Sequence, residues 1–490
     1  MRKSGILMHI SSLPGKYGIG SLGKEAYEFV DHLYQSKQQL WQILPLTPTG
    51  YGDSPYQSFS TFAGNPYFID LEELYEKGWI THTDLEASIQ ESIDYSALYK
   101  TRYALLKKAY RNRGIDNSFI EYCETEKHWL TDYALFMAIK DSYHGKPWNE
   151  WDEPLKLRKA EAINQAKIQL KESICFYQWI QYVFWKQWNR LKTYANERNI
   201  EIIGDLPIYV AYDSADTWTH PELFQLDEKL NLKAVAGVPP DGFSADGQLW
   251  GNPLYQWNYH KETHYAWWIQ RMKACAKHYD IVRIDHFRGF DSYFSIPAKD
   301  MTAKNGQWQP GPGYDLFECI KKELPDIQVI AEDLGYLTDS VKQLVKDCGY
   351  PGMKIFEFAF DSRDTNGAQQ YLPHNYIENS IAYTGTHDNE TLMGWFESIL
   401  PQEKAALQQH LCTTSNDNQI LRMKCIVAVM QSKSKWCVIP MQDWLGCDNR
   451  ARMNEPSTSS GNWKWKMKES DFTKELEETI SHYTSIYGRG

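Results

Sequence analysis

The stretch Ile281-Val-Arg-Ile-Asp-His-Phe-Arg-Gly-Phe290 is a short apolar run that stops abruptly in charged and aromatic residues. In a strand, alternation puts Arg283 and Asp285 on one face and Val282 and Ile284 on the other. A guanidinium beside an aspartate lowers its pKa and keeps it ionised, as a nucleophile requires; a structural ion pair would use the same two residues. Seven more runs end in turn-formers or polar residues: 6–9, 40–44, 202–205, 329–331, 353–356, 381–383 and 436–439. Several precede amphipathic helices, with Ala26, Phe29, Val30 and Leu33, or Val341, Leu344, Val345 and Cys348, at i, i+3, i+4 and i+7. Strands alternating with helices predict a parallel sheet. Eight of them close a TIM-type (β/α)8 barrel, the other solution being an open doubly wound sheet. A barrel places its chemistry at the C-terminal ends of the strands.

Two connections are too long for ordinary loops. More than 150 residues separate the second and third runs, with helical patterns such as Phe176, Trp179, Ile180 and Val183. They predict an inserted helical subdomain over 72–170 on a single catalytic unit spanning 1–490. The stretch 211–263 is rich in Pro, Gly, Asp, Asn and Trp. Its segment Val238-Pro-Pro-Asp-Gly-Phe-Ser-Ala-Asp-Gly-Gln-Leu-Trp250 has neither helical nor strand period, and reads as a structured surface loop of the kind that lids a site.

Other acids stand at strand ends. Val329-Ile-Ala-Glu-Asp-Leu-Gly335 ends in two, one of which could donate a proton while the other caps the next turn; period alone does not say which. If this strand lies beside 281–285, backbones ~4.8 Å apart suit the carboxyl separation of roughly 5–5.5 Å of a retaining glycosidase better than the wider inverting gap. In Tyr383-Thr-Gly-Thr-His-Asp-Asn-Glu390, Asp388 could hydrogen-bond a sugar's hydroxyls and, as a nearby negative charge, keep the proton donor protonated. Alone, this segment is also an ordinary turn.

The 490 residues have a hydrophobic share of 42%, a charged share of 23% and a net charge of −11. This is globular composition with no basic field for nucleic acid or anionic lipid. No apolar run reaches the ~18 residues of a membrane span and no signal peptide is evident, so a cytoplasmic protein is expected. Nine scattered cysteines without a Cys-x-x-Cys pair argue against a disulfide framework and a zinc ribbon. With 19 Trp, 32 Tyr and 19 Phe, the chain has rings for cores and for the apolar faces of sugars.

Together these segments resemble the α-amylase clan, and more narrowly the amylomaltase or disproportionating-enzyme family of 4-α-glucanotransferases. The resemblance spans nearly the whole chain. It includes Ser11-Ser-Leu-Pro-Gly-Lys-Tyr-Gly-Ile-Gly20, Gly52-Asp-Ser-Pro-Tyr-Gln-Ser-Phe-Ser-Thr-Phe-Ala-Gly-Asn-Pro66, Gly204-Asp-Leu-Pro-Ile-Tyr209, Trp250-Gly-Asn-Pro253 and Arg452-Met-Asn454. It implies Asp285 as nucleophile, Glu332 rather than Asp333 as general acid/base, and Asp388 as transition-state stabiliser. It implies Arg283 and His387 as their neighbours, Tyr56, Asp241 and Trp250 along the sugar cleft, and Tyr51 at an outer glucan contact. The expected reaction moves α-1,4-glucan segments to the 4-hydroxyl of an acceptor, with small and polymeric α-glucans as partners and no cofactor or required metal. The sequence departs from the family pattern at Ser457, where glycine is expected after Pro456, and at Cys447-Asp-Asn-Arg450; both bear on Asn454.

Rival readings are a hydrolase of the same clan and a non-catalytic carbohydrate-binding barrel, against which the three retained acids speak. Gly18-Ile-Gly-Ser-Leu-Gly23 matches a dinucleotide-binding fingerprint, but it lies too far from the 6–9 strand, and no acid ends the 40–44 strand to hold a ribose. Single histidines such as His9 and His286 read as structural groups. The stripe Phe176, Trp179, Tyr182, Val183 and Phe184 reads as core.

Overall fold

A computed structural model describes residues 2–240, 244–335, 337–364, 367–458 and 460–490. Twelve strands run in chain order: β1 Lys3–Leu7, β2 Leu40–Gln42, β3 Glu201–Leu206, β4 Ala234–Val238, β5 Gln248–Pro253, β6 Ile281–Ile284, β7 Ser292–Pro297, β8 Gln307–Pro310, β9 Gln328–Ala331, β10 Gly352–Ile355, β11 Ser380–Tyr383 and β12 Trp436–Pro440. Eight of them close a barrel in the order β1-β12-β11-β10-β9-β6-β3-β2, every pair parallel. These are the eight expected runs, each within a few residues. They are readable because a barrel strand is covered on both faces: β2, β6, β11 and β12 are buried at every position.

Helices cover the barrel with the expected apolar stripes. Lys24–Gln35 buries Ala26, Phe29, Val30 and Leu33, and Asp339–Cys348 buries Val341, Leu344 and Cys348 under a Thr338 N-cap. Between β2 and β3 the chain forms a run of helices that includes Tyr95–Asn112, Lys127–Ser142 and the 27-residue Lys171–Glu197. The last of these buries Phe176, Trp179, Tyr182, Val183 and Phe184. Its Trp188 indole donates to the His278 carbonyl at 3.1 Å, tying the helical layer to the chain entering β6.

The remaining four strands pair antiparallel as β5-β4-β7-β8. They come from the connections that follow β3 and β6, which are neighbours in the barrel. Part of the stretch read as an aperiodic loop is therefore sheet. Its period is hidden because the β4–β5 register shifts between Val235 and Gly237, and because β5 leaves Leu249 41% exposed while Asn252 is buried. This sheet has its own small core of Val235, Phe294, Ile296 and Ala303.

Gly204, in the middle of β3, lies where a Cβ would stand 2.2 Å from the Tyr279 ring. Only glycine lets this strand approach the chain entering β6 so closely. That approach brings Asp205 level with Arg283.

Candidate active site

The ends of β3, β6, β9 and β11 converge on one cluster. Arg283, on β6, is 3% exposed and donates from one guanidinium nitrogen to both oxygens of Asp205, at 2.7 and 2.8 Å. Its other terminal nitrogen lies 2.9 Å from Asp285 Oδ1, so the alternation read from sequence puts the two side chains in contact. Asp205 also accepts the Tyr56 O–H at 2.6 Å, which leaves the tyrosine oxygen to accept from His387 Nε2 at 2.9 Å. The Tyr56 and His387 rings stack at 5.3 Å. His387 Nε2 stands 3.4 Å from Asp388 Oδ2, and Asn454 Nδ2 donates to Asp388 Oδ1 at 2.7 Å. One connected chain of contacts thus runs from Asp285 through Arg283, Asp205, Tyr56 and His387 to Asp388. Asn454 closes its far end despite the altered segment beside it.

Glu332 and Asp333 part company in space. Met353 N–H donates to Asp333 Oδ1 at 2.7 Å, which ties Asp333 to the start of β10, where Gly352 leaves room for it. Glu332 turns the other way and accepts two backbone N–H groups, from His286 at 2.7 Å and Leu334 at 3.0 Å. His286 itself adopts φ +49°, a left-handed conformation two residues past the end of β6. Asp285 and Glu332 immediately follow paired residues of adjacent strands, Ile284 and Ala331.

Loss of water pushes both carboxyls up, and their neighbours then separate them. Asp285 is raised first by burial, against the opposing pull of Arg283 and with further repulsion from Asp205 and Asp388. As expected from the sequence, Arg283 lowers Asp285 and favours its ionised form, while burial acts in the opposite sense; Arg283 is shared with Asp205. Glu332 is raised by burial and then by the negative charge of Asp285. After burial, the charge that most favours a protonated Glu332 is Asp285, and Asp388 is among the charges that raise Asp285. Arg283 touches Asp285 and lowers both carboxyls, while burial and the charge of Asp285 favour the protonated form of Glu332.

Tyr56, Trp250, Asp285, His387, Asp388 and Asn454 are among the residues that line an open cleft of about 610 Å³. Trp250 sets its ring edge-on to His286 at 4.8 Å. Asp241 lies outside the described residues. Tyr51 begins the short turn Tyr51–Asp53, and the placement of its side chain is likewise outside them. Sequence reading missed Asp205, although an acid closing the third apolar run was a visible signal. It also missed Trp463, a cleft wall residue held at φ +64° with no local signature.

Ser457, where the resemblance calls for glycine, sits on the cleft rim at φ +68°. A side chain there costs about 1–2 kcal/mol in the folded state. Ser457→Gly should therefore raise stability by about 0.5–1 kcal/mol after allowing for glycine's freer unfolded chain, as read by urea denaturation. A loss of stability would mean that the serine hydroxyl compensates for its backbone.

The sequence profile described as 4-alpha-glucanotransferase matches residues 8–472. A protein named 4-alpha-glucanotransferase from Clostridium butyricum is 49% identical over 490 residues, covering 98% of this chain and 100% of the relative. One of the same name from Streptococcus pneumoniae is 46% identical over 498 residues, covering 100% and 97%. The solved amylomaltase from Streptococcus agalactiae in complex with acarbose superposes with a TM-score of 0.96 at 44% identity, each chain covered in full. Agreement of this extent in sequence and in barrel geometry leaves one assignment: the chain belongs to the 4-alpha-glucanotransferase family.

Proposed function

We propose that this chain moves α-1,4-glucan segments to the 4-hydroxyl of an acceptor glucan or glucose by a retaining double displacement, with Asp285 as nucleophile and Glu332 as general acid/base. The observation that carries the assignment is the pair itself: two carboxyls at the ends of adjacent strands, one against a guanidinium and the other on two backbone N–H groups. Asp285 Oδ attacks the anomeric carbon as its bond to the glycosidic oxygen breaks, and Glu332 delivers its proton to that oxygen. The acceptor hydroxyl then attacks the same carbon, Asp285 leaves as carboxylate, and the hydroxyl's proton returns to Glu332. Asp388, 43% exposed to the cleft and held by Asn454, suits the hydroxyls of the distorted sugar. Arg283 and His387 hold the two aspartates, Tyr56 and Trp250 line the cleft, and Asp241 and Tyr51 join as sugar contacts on the resemblance alone.

Nine cysteines, all unpaired, favour a reducing compartment and hence the cytoplasm. Among the described residues no helix is long and apolar enough to cross a membrane, and the net charge of −11 gives nucleic acid no footing.

Incubation with maltotriose in metal-free buffer, followed by chromatography of the products, tests the function. A ladder of longer maltooligosaccharides plus glucose is the expected result. Glucose and maltose alone would make the chain a hydrolase, and no change would revive the binding-protein reading.

The pH profile of kcat/KM tests the proton assignment. The productive form has Asp285 ionised and Glu332 protonated, so activity falls in acid as Asp285 takes up a proton and falls in alkali as Glu332 loses one. Both groups are raised, which places both limbs above the ordinary carboxylate range. An alkaline limb near an unperturbed glutamic acid would contradict the assignment of Glu332.

A further inference from the structure

In Ile355-Phe-Glu-Phe-Ala-Phe360 a single acid stands among aromatic residues, and the fold buries it. Glu357 follows β10, is 7% exposed, and takes no part in the chemistry above. Its backbone N–H donates to Thr384 O, which sets its carboxyl beneath the turn that leaves β11. Glu357 Oε2 accepts from Asn389 Nδ2 at 3.0 Å. Asn389 Oδ1 in turn accepts both the N–H and the hydroxyl of Thr386, at 2.9 Å each, and Thr386 Oγ1 accepts the Asp388 N–H at 3.3 Å. Gly385 completes the fit: a Cβ there would lie 3.0 Å from Glu357 Oε1 and from Asn389 Cβ. From the other side, Asp443 accepts the Thr384 hydroxyl at 2.6 Å and the Leu392 N–H at 2.8 Å.

We propose that Glu357 is a positioning residue that, through Asn389 and Thr386, fixes the turn aiming His387 and Asp388 into the cleft. This rests on the role given to Asp388 above. Only one oxygen of Glu357 has a hydrogen-bond partner; Oε1 is buried and finds none among the described residues. An ionised carboxylate would leave a full charge with one donor in a site already facing Asp443 and Glu390. A neutral acid removes that charge and accepts from the Asn389 amide with one oxygen, its proton on Oε1 finding no acceptor among the described residues. Burial and the Asp443 carboxyl push Glu357 well above the usual carboxylate range, in the same sense. Glutamine, which has the shape and neutrality of the protonated side chain, should therefore replace it.

The test measures kcat and KM for maltotriose disproportionation, with thermal melts, in Glu357→Gln, Glu357→Ala and Asp388→Asn. Glu357→Gln is expected within about twofold of the parent in both constants. Glu357→Ala is expected to lose about tenfold or more in kcat with little change in KM, because the aim of Asp388 matters most in the transition state. A Glu357→Ala protein with normal kcat overturns the proposal, provided Asp388→Asn is inactive; an active Asp388→Asn protein instead overturns the role of Asp388. Equal damage from Gln and Ala also overturns it, since a charged carboxylate would then be what the turn requires. If Glu357→Ala does not fold, Asn389→Ala breaks the same link, and normal kcat there overturns the proposal.

Discussion

Asp285→Ala is expected to lower kcat for maltotriose disproportionation by on the order of 10⁵ or more while leaving the protein folded and able to bind maltotriose. The size follows from deleting the atom that forms the covalent intermediate, the kind of loss seen when a nucleophile is removed from a unit that works together. The fold should survive because Arg283 keeps both of its bonds to Asp205, so no buried charge is left without a partner. Deleting the charge that raises Glu332 should also bring that carboxyl down toward its ordinary value, so the residual activity should peak at lower pH. Single-turnover assays, calorimetric binding of maltotriose and a thermal melt together check the result. Activity near the parent value would remove Asp285 from the mechanism.

Glu332→Gln is expected to lose about 10³–10⁴ in kcat, against a few-fold for Asp333→Asn. The amide fills the same volume but carries no transferable proton, and its NH2 must face either the His286 or the Leu334 N–H that the carboxylate accepts. Asp333 faces Met353 N–H instead, so its substitution should appear in the melting temperature more than in turnover. A maltosyl donor with a fluoride leaving group, which needs no proton, should restore the first step in Glu332→Gln alone. The reverse order of damage would exchange the two residues' roles.

The barrel was legible because parallel strands buried on both faces leave uninterrupted apolar runs, and each acid that closes such a run is conspicuous. The choice between Glu332 and Asp333 was not legible from the strand period, because adjacent residues point oppositely; the N–H groups of His286 and Met353 show that the two side chains part, and that supports the proposed assignment. The antiparallel sheet escaped because a register shift and an exposed Leu249 erase the period of β4 and β5. The set of charges around Asp285 was legible only in part. The Arg283–Asp285 spacing shows one attraction, whereas Asp205 arrives from a strand nearly eighty residues earlier and burial acts on the whole cluster. Ser457 is the opposite case, since the missing glycine marked a backbone position that does turn left-handed.

The sheet that brings Leu249, Trp250 and Asn252 to the cleft packs on the barrel's core through Ala236 and Tyr293 and adds a small core of its own, whereas the carboxyls stand directly at the ends of the barrel strands. One wall of the cleft and the carboxyls beside it are thus carried by different strands. Under the proposed function, substitutions along β5 should change the sugar contacts at Trp250 while leaving the pairing of the parallel strands untouched.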